Sequence, residues 1–551
     1  MLQKRYKINF GADGGSMQIS EFNGIVKYHD GGAVSDYCNM IPLGDSVIDR
    51  QGELYADNSN RELRPGIHVL ETFVDSKMNI YIACSDGILH RYGIDNGRVL
   101  YYGGMDGMEI TEDISFCESS TKPSQVYCAT AGNVYYWNTE AIKFDKKDVP
   151  EEYQDRYEAF KPIRLPVIVN ASALKNPADA SSGYFPVVNN DNYNLDDTNA
   201  CPKISNVTWF DNRLVMVSSE NNTVFLSDVD PSRYLFGNPP KPILSPIEAT
   251  TETNDYTVSF IPAYYSSTAS SARLHSAIAF AGSLYFLNDT SIEIWSATGN
   301  YDNPIQHNMQ NTLFYGGRSP VIIADILYLI CRDSIHNDFV VSINSAGAIK
   351  RVSNGEIERQ LQPKAFRLRP LSVRDESMVV CYNDKNYKNG YSITKSEHWW
   401  RYVNQDWHED FIVWSLLNVD GTIYSVTYHG FIAKTTDDNR CYVGGKRRIP
   451  RHIRGAFTQF TQRKILRNVE IICDTGVYFD LNTERPKFYL RVSFDRGLHF
   501  GPFFYRVAGA PGVNDRRMIW RNCGSGNSLM IEFGTSDNIR FQIYGLDLNI
   551  Q

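Results

Sequence analysis

The feature that most constrains this chain is a unit that recurs along it: a short apolar strand, a turn built from Gly, Asn or Asp, and a second strand that often ends in an aromatic. Asn79–Cys84 turns at Ser85-Asp86-Gly87 into Ile88–Tyr92, and Gln125–Ala129 turns at Gly132-Asn133 into Val134–Trp137. The unit returns at Arg213–Val217 with Val224–Leu226, and at Ala277–Phe280 with Leu284–Phe286 and Ile292–Trp295. Later copies start at Ile326–Cys331, Met378–Tyr382 and Phe411–Trp414. Starts fall about fifty residues apart, the length of a four-stranded blade, so the spacing predicts a β-propeller. The spacing is uneven, which predicts insertions within or between blades.

Composition agrees with a mainly β class. The 34 Tyr, 28 Phe and 8 Trp suit pleated, half-buried surfaces. The 39 Gly and 23 Pro are spread along the chain and supply many turns in place of a few linkers. At 551 residues the chain exceeds one core, and about two to four folding units are expected. Residues 1–455 read as a propeller with insertions near 140–205 and 237–271. Two polar runs mark those insertions, Val187–Cys201 and the Pro-, Ser- and Thr-rich Gly237–Ser271, both expected to be long excursions from a blade rim. Helix is scarce, and the best candidate is Val149–Phe160, with Pro150 and acidic residues at its start. Beyond residue 455 the strands lengthen and alternate, so 456–551 reads as a separate C-terminal β-sandwich or platform-like module.

Charge and cysteines narrow the function classes. The net charge of −8 argues against a broad cationic grip on nucleic acid, yet suits a wall past which DNA slides. One stretch goes against this balance. Lys446–Arg467 carries eight cations, Lys446, Arg447, Arg448, Arg451, Arg454, Arg463, Lys464 and Arg467, and no carboxylate. It reads as a solvated strand face, a docking surface for an acidic neighbour, or a local contact to DNA phosphate, with docking preferred over DNA. The ten cysteines are scattered, without Cys-x-x-Cys or zinc-like spacing to histidine, as for reduced thiols of a protein folded in a cytoplasm. No signal peptide or membrane span is expected, because the longest apolar run, Val321–Cys331, is short and holds Asp325. The Asn-x-Ser/Thr matches at Asn170, Asn206, Asn221 and Asn288 read as chance. Two glycine-rich stretches, Gly11–Ser16 and Gly444–Lys446, lead into no helix and read as turns. The His398-Trp399-Trp400 and Trp407–Asp410 cluster lacks metal-ligand spacing and reads as core. No cofactor, metal or catalytic residue is assigned.

The C-terminal hundred residues carry the most specific pattern. Leu490–Pro502 holds a strand, a tight turn at Ser493, Asp495 and Gly497, and the aromatic Phe500; Arg517, Trp520 and Gly524 follow, then the closing strands Met530–Phe533 and Ile543–Ile550. This ordered set resembles the C-terminal module of the packaged-DNA stabilisation proteins of short-tailed bacteriophages, also called tail hub or tail nozzle proteins. Val207–Arg233 and Ser276–Gly299 resemble strand pairs of the same family, while residues 1–200 match only in style.

The resemblance implies a virion protein assembled in the host cytoplasm as a homo-hexameric ring. Such a ring would extend the DNA channel below the portal and adaptor proteins, retain the packaged double-stranded genome until ejection, and seat tail fibres, tailspikes or a needle. The two insertions would be candidate gating loops. The Ser-x-Asp-x-Gly turn also occurs in sialidase propellers, so a carbohydrate-active or glycan-binding propeller is the alternative. That alternative needs several such turns and an arginine triad, whereas one good turn is present and Arg447-Arg448-Ile449-Pro450 stands near the wrong end of the chain. A generic interaction propeller leaves the C-terminal pattern unexplained.

Overall fold

A computed structural model describes, with short gaps, residues 67–139, 203–227, 273–353, 413–455 and 458–551. It also describes strands at 4–9, 17–19, 34–38, 40–43, 46–49, 51–55, 163–165, 187–188, 256–257, 366–373, 376–383, 389–393 and 399–403, and residue 358. The chain parts into two compact units, residues 62–364 in one and residues 1–61 with 365–551 in the other. The fold is mainly β, a β-propeller with insertions and a C-terminal sandwich-like module.

The unit 62–364 is a succession of small antiparallel sheets, each a meander in chain order. Four strands fill Val69–Met105, four fill Ser115–Leu165, three fill Ile204–Leu226, four fill Leu274–Asn311 and four fill Tyr315–Arg351. Several hairpins close through two residues with positive φ. Ala131-Gly132, Asp211-Asn212 and Ala281-Gly282 are of this kind, the turn whose twist matches that of the flanking strands.

Side chains alternate between the two faces of a strand, and here each face meets a different neighbour. Val126 and Cys128 pack with Tyr81 and Leu89 of the preceding sheet, while Tyr127 and Ala129 pack with Leu214 and Met216 of the following one. Val215 and Val217 then turn to Leu284 and Phe286, whereas Tyr285 and Leu287 turn to Leu327 and Leu329. Each central strand is therefore apolar on both faces, which makes it a continuous hydrophobic run such as Ile80–Cys84, buried throughout. At about 1.5–3 kcal/mol for each large side chain buried, these four inter-sheet cores are the main force ordering the unit.

The other unit is built from both ends of the chain. Thr458–Tyr478, Met518–Thr535 and Ile539–Ile550 are long strands, with Lys4–Asn9 and Ser46–Asp49 laid along the last of them. Met518–Thr535 pairs with Thr458–Tyr478 over its first part, then switches to Arg451–Gly455 and Lys487–Ser493. A strand that changes partners in this way turns the corner of a sandwich. Phe488, Trp520, Phe533 and Phe541 fill the interior, with Phe488 stacked on Phe533 at 5.4 Å. Val34–Cys38 joins Arg451–Gly455 to the meander Phe366–Val403. The sheet Val413–Thr436 receives its fourth strand from Gly52–Tyr55.

The chain thus divides at 61 and 365, whereas the change of sequence texture falls at 455. The cause is pairing: residues 34–55 hydrogen-bond to strands that lie beyond residue 430. The two insertions meet through a short ladder, Val187 opposite Thr257 and Val188 opposite Tyr256. The rest of both runs, and the helix expected at 149–160, lie outside the described residues. No described helix is long and apolar enough to cross a membrane.

Candidate functional site

The tight turn that follows strand Lys487–Ser493 is held by its own side chains. The Ser493 hydroxyl donates to Asp495 Oδ1 at 2.7 Å and accepts from the Gly497 N–H at 2.9 Å. Asp495 also accepts from the His499 N–H at 2.9 Å and faces His499 Nδ1 at 2.7 Å. These bonds, the His499 backbone first, hold the Asp495 carboxyl well below its usual range, at about 2. Gly497 has φ +81°, and a Cβ there would lie 2.7 Å from Met530 Sδ. The adjacent Arg496 N–H reaches Ser528 Oγ at 3.1 Å, and that hydroxyl donates to the Phe494 carbonyl. Every polar atom named here serves the turn.

The remaining motif residues lie on the strand Met518–Thr535 or, for Arg517, directly before it. Gly524, at φ +116°, and Gly526 lie under the Phe494 ring, where a Cβ on either would come to 2.6 Å. Trp520 is buried, donates from Nε1 to the Phe504 carbonyl at 2.7 Å and meets Phe533 edge-on. Arg517 forms a two-pronged pair with Glu470 at 2.5 and 2.6 Å across the sheet. The six motif residues therefore lie in one module, with Gly524 packed against the turn's Phe494, Trp520 engaged elsewhere on strand Met518–Thr535 and Arg517 at the entry to that strand.

The basic run does not present one cationic face. Lys446 and Arg447 lie outside the described residues, and Arg448 pairs with Asp537. Arg451 is fully buried and bonds Asp49 at 2.8 Å and the Ile539 carbonyl at 2.6 Å, so it offers nothing to DNA or to a docking partner. Burial, only partly opposed by Asp49, pulls its pKa down to about 10. Arg440 joins the same carboxylate at 2.5 Å. Arg454 pairs with the buried Glu532 at 2.7 Å, beside Arg491 at 3.4 Å. Arg463 and Arg467 are exposed and Lys464 is half-buried; with the exposed Arg448, they are the outward cations among the described residues of the run.

A surface that sequence reasoning missed lies on the next strand. Phe504–Val507 pairs with Lys487–Ser493 and with no other described strand. It carries Phe503 and Tyr505 on one side and Phe504 on the other, exposed by 48%, 55% and 39%, with Leu498 exposed by 77% on the neighbouring turn. Phe503 stacks on Tyr505 and meets Tyr489 edge-on, and the Arg491 guanidinium lies 4.5 Å from the Phe503 ring and 5.2 Å from the Phe500 ring. The signal in the sequence is the run Phe500–Tyr505, which has more aromatics than an alternating strand buries. A fixed, apolar, half-paired edge of this kind is suited to contact.

Among the described residues one group of side chains could hold a metal ion: Cys84, Asp86 and His90, in the first sheet of the 62–364 unit. The tryptophans of the His398–Asp410 cluster are described as far as strand Trp399–Val403, which pairs with Asn389–Ile393.

No protein-family model matches the chain, and no curated protein matches it. Solved structures similar to it include a virginiamycin B lyase from Staphylococcus aureus, 10% identical, covering 68% of this chain and 97% of that one with TM-score 0.36. A computationally designed protein, Ika8, is 10% identical and covers 74% and 98% with TM-score 0.33. BamB from Moraxella catarrhalis is 8% identical and covers 67% and 97% with TM-score 0.32. Likeness this remote transfers no activity, substrate or partner to this chain.

Proposed function

We propose that this chain is a structural, non-catalytic subunit of the tail of a short-tailed bacteriophage. It forms a nozzle or hub ring that carries the DNA channel below the portal and adaptor, holds the packaged genome, and lets it pass at ejection. The observation that supports this reading is the set Ser493, Asp495, Gly497, Arg517, Trp520 and Gly524, each with a defined structural role in the C-terminal module. Those residues carry the resemblance to tail nozzle proteins: Ser493, Asp495 and Gly497 hold the turn, Gly524 makes room for its Phe494 ring, and Trp520 and Arg517 tie neighbouring strands of the same module. Asp495, the acid that a glycan-cleaving reading would enlist, is committed to the turn.

In this reading the aromatic edge Phe503–Tyr505 is covered by a second copy of the chain, and repetition of that contact closes a homo-hexamer. The outward cations Arg463, Lys464 and Arg467 face an acidic neighbour such as the adaptor. Double-stranded DNA passes a net-acidic wall without sticking. Fibres, tailspikes or a needle seat on the outer parts of the ring in the finished virion.

The test is to measure the mass of the purified chain in solution, then mix it with portal–adaptor complexes and image the product by electron microscopy. A ring with an axial hole at the lower end of the adaptor is the expected result. A monomer that ignores the portal and binds or cleaves glycans overturns the reading in favour of a carbohydrate-active propeller.

A further inference from the structure

The hairpin between the second and third strands of the first sheet, Ile80–Cys84 and Leu89–Asp95, brings three different ligand types together. Ala83 pairs with Leu89 and Ile82 with His90, so Cys84 and His90 project from the same face on adjacent strands. The turn between them carries Asp86. The Cys84 sulfur, an Asp86 carboxylate oxygen and an imidazole nitrogen of His90 all lie within 4.8 Å of one another.

Two further observations separate this group from an ordinary core thiol beside a turn aspartate. The first is the ring of His90: Nδ1 is bonded to the Tyr101 hydroxyl at 3.0 Å, while Nε2 is buried without a hydrogen-bond partner. A hydrogen bond to one ring nitrogen that leaves the other buried and unbonded is the arrangement metal-binding histidines use. Tyr101 reaches His90 because residue 104 on the same strand is glycine; a Cβ there would lie 2.8 Å from Ile88, 3.5 Å from the Tyr101 hydroxyl and 4.0 Å from His90 Nδ1. The second is selectivity within the chain. Seven buried cysteines carry no disulfide, and among the described residues Cys84 alone belongs to such a three-ligand group.

We propose that Cys84, Asp86 and His90 form a binding site for a zinc ion. Mixed sulfur, nitrogen and oxygen donors suit this borderline-soft cation, and about 2.0–2.3 Å bonds require the three side chains to draw in only slightly. Asp86 is exposed, so the ion enters from the turn side, and a water molecule from solvent completes four-coordination. On binding, the Cys84 thiol gives up its proton to solvent and the sulfur bonds the ion as thiolate. The ion staples the hairpin of the first sheet.

The test uses the full chain, stripped with a chelator and titrated with cobalt(II) as a spectroscopic stand-in for zinc. One cobalt per chain is expected, with tetrahedral d–d bands and a sulfur-to-cobalt charge-transfer band, and displacement by one zinc. Cys84→Ser should remove the charge-transfer band, His90→Gln should weaken binding at least ten-fold, and Tyr101→Phe should weaken it about ten-fold through loss of the hydroxyl that orients the His90 ring. Absence of stoichiometric cobalt, or a charge-transfer band that persists in Cys84→Ser, overturns the proposal. Should Cys84→Ser fail to fold, the exposed Asp86→Asn and the His90→Gln chains decide; unchanged affinity in both overturns it equally.

Discussion

The carboxylate of Asp495 accepts from the His499 backbone, from the Ser493 hydroxyl and from the His499 ring, and those bonds set a pH dependence with a definite sign. Its folded pKa is about 2 against an ordinary 3.8, so the unfolded chain takes up the proton first. The stabilisation is fully present above about pH 4 and is lost as the pH falls through about 2. Urea midpoints of the parent chain and Asp495→Asn should differ by a constant amount from neutral pH down to about 5, then converge as acid is added. A gap that stays constant down to about pH 2 would show that charge plays no part in this turn. Gly497 tests the backbone instead. At φ +81° a side chain is strained whatever space surrounds it, so Gly497→Ala should cost about 1–3 kcal/mol in denaturant unfolding. Adding Met530→Ala should recover only the steric part. Both residues were legible in the sequence because such a turn writes itself locally, as Ser, Asp and Gly two residues apart. Cys84, Asp86 and His90 were not, because their common face depends on hairpin register and on Tyr101 from a third strand.

Strands of the 62–364 unit were legible as elements and illegible as a packing scheme. Gly, Asn and Asp punctuate them at their ends, but a strand buried on both faces shows no alternation, so nothing in Val126–Ala129 says which residues face which neighbour. In the C-terminal module the reverse error arises. Met530–Phe533 reads as a closing strand separate from Trp520 and Gly524, yet all of them lie on one 18-residue strand, Met518–Thr535. Asn522 and Gly524 take positive φ inside it, and its ladder to Thr458–Tyr478 shifts register there without ending. The basic run misled for a related reason. Arg451 reads as surface because the carboxylate that neutralises it, Asp49, lies 402 positions earlier on another strand. That carboxylate serves two buried guanidiniums, of Arg440 and Arg451. Asp49→Asn removes the carboxylate that both share in the interior, and breaking a buried ion pair costs about 3–5 kcal/mol. Calorimetry should register this as a lower melting temperature for the unit that contains strand Ser46–Asp49; an unchanged melt would mean that solvent reaches the cluster.

For the molecule as a whole, the decisive fact is that the unit formed by 1–61 and 365–551 is discontinuous in sequence. Texture along the chain suggests a module beginning near 455, because composition reports local pattern and says nothing of a partner strand hundreds of residues away. Four N-terminal segments supply what the C-terminal part lacks. Lys4–Asn9 borders Ile539–Ile550, Val34–Cys38 borders Arg451–Gly455, Ser46–Asp49 brings the buried aspartate, and Gly52–Tyr55 closes the sheet Val413–Thr436. Without them, residues 365–551 would expose several strand edges together with the apolar side chains that Met40, Ile41, Val47 and Ile48 cover. A fragment 365–551 should therefore collapse without cooperative unfolding and aggregate, whereas the same fragment joined by a flexible linker to residues 1–61 should unfold cooperatively in urea. Hydrogen exchange places the argument on particular strands. In the joined protein, amides of Ile432–Thr436 and Ile539–Ile550 should be among the slowest to exchange, and in the fragment alone they should exchange freely. Equal protection in both would mean that the long strands of the C-terminal module hold without the chain's beginning, and that the early segments dock onto a core already formed.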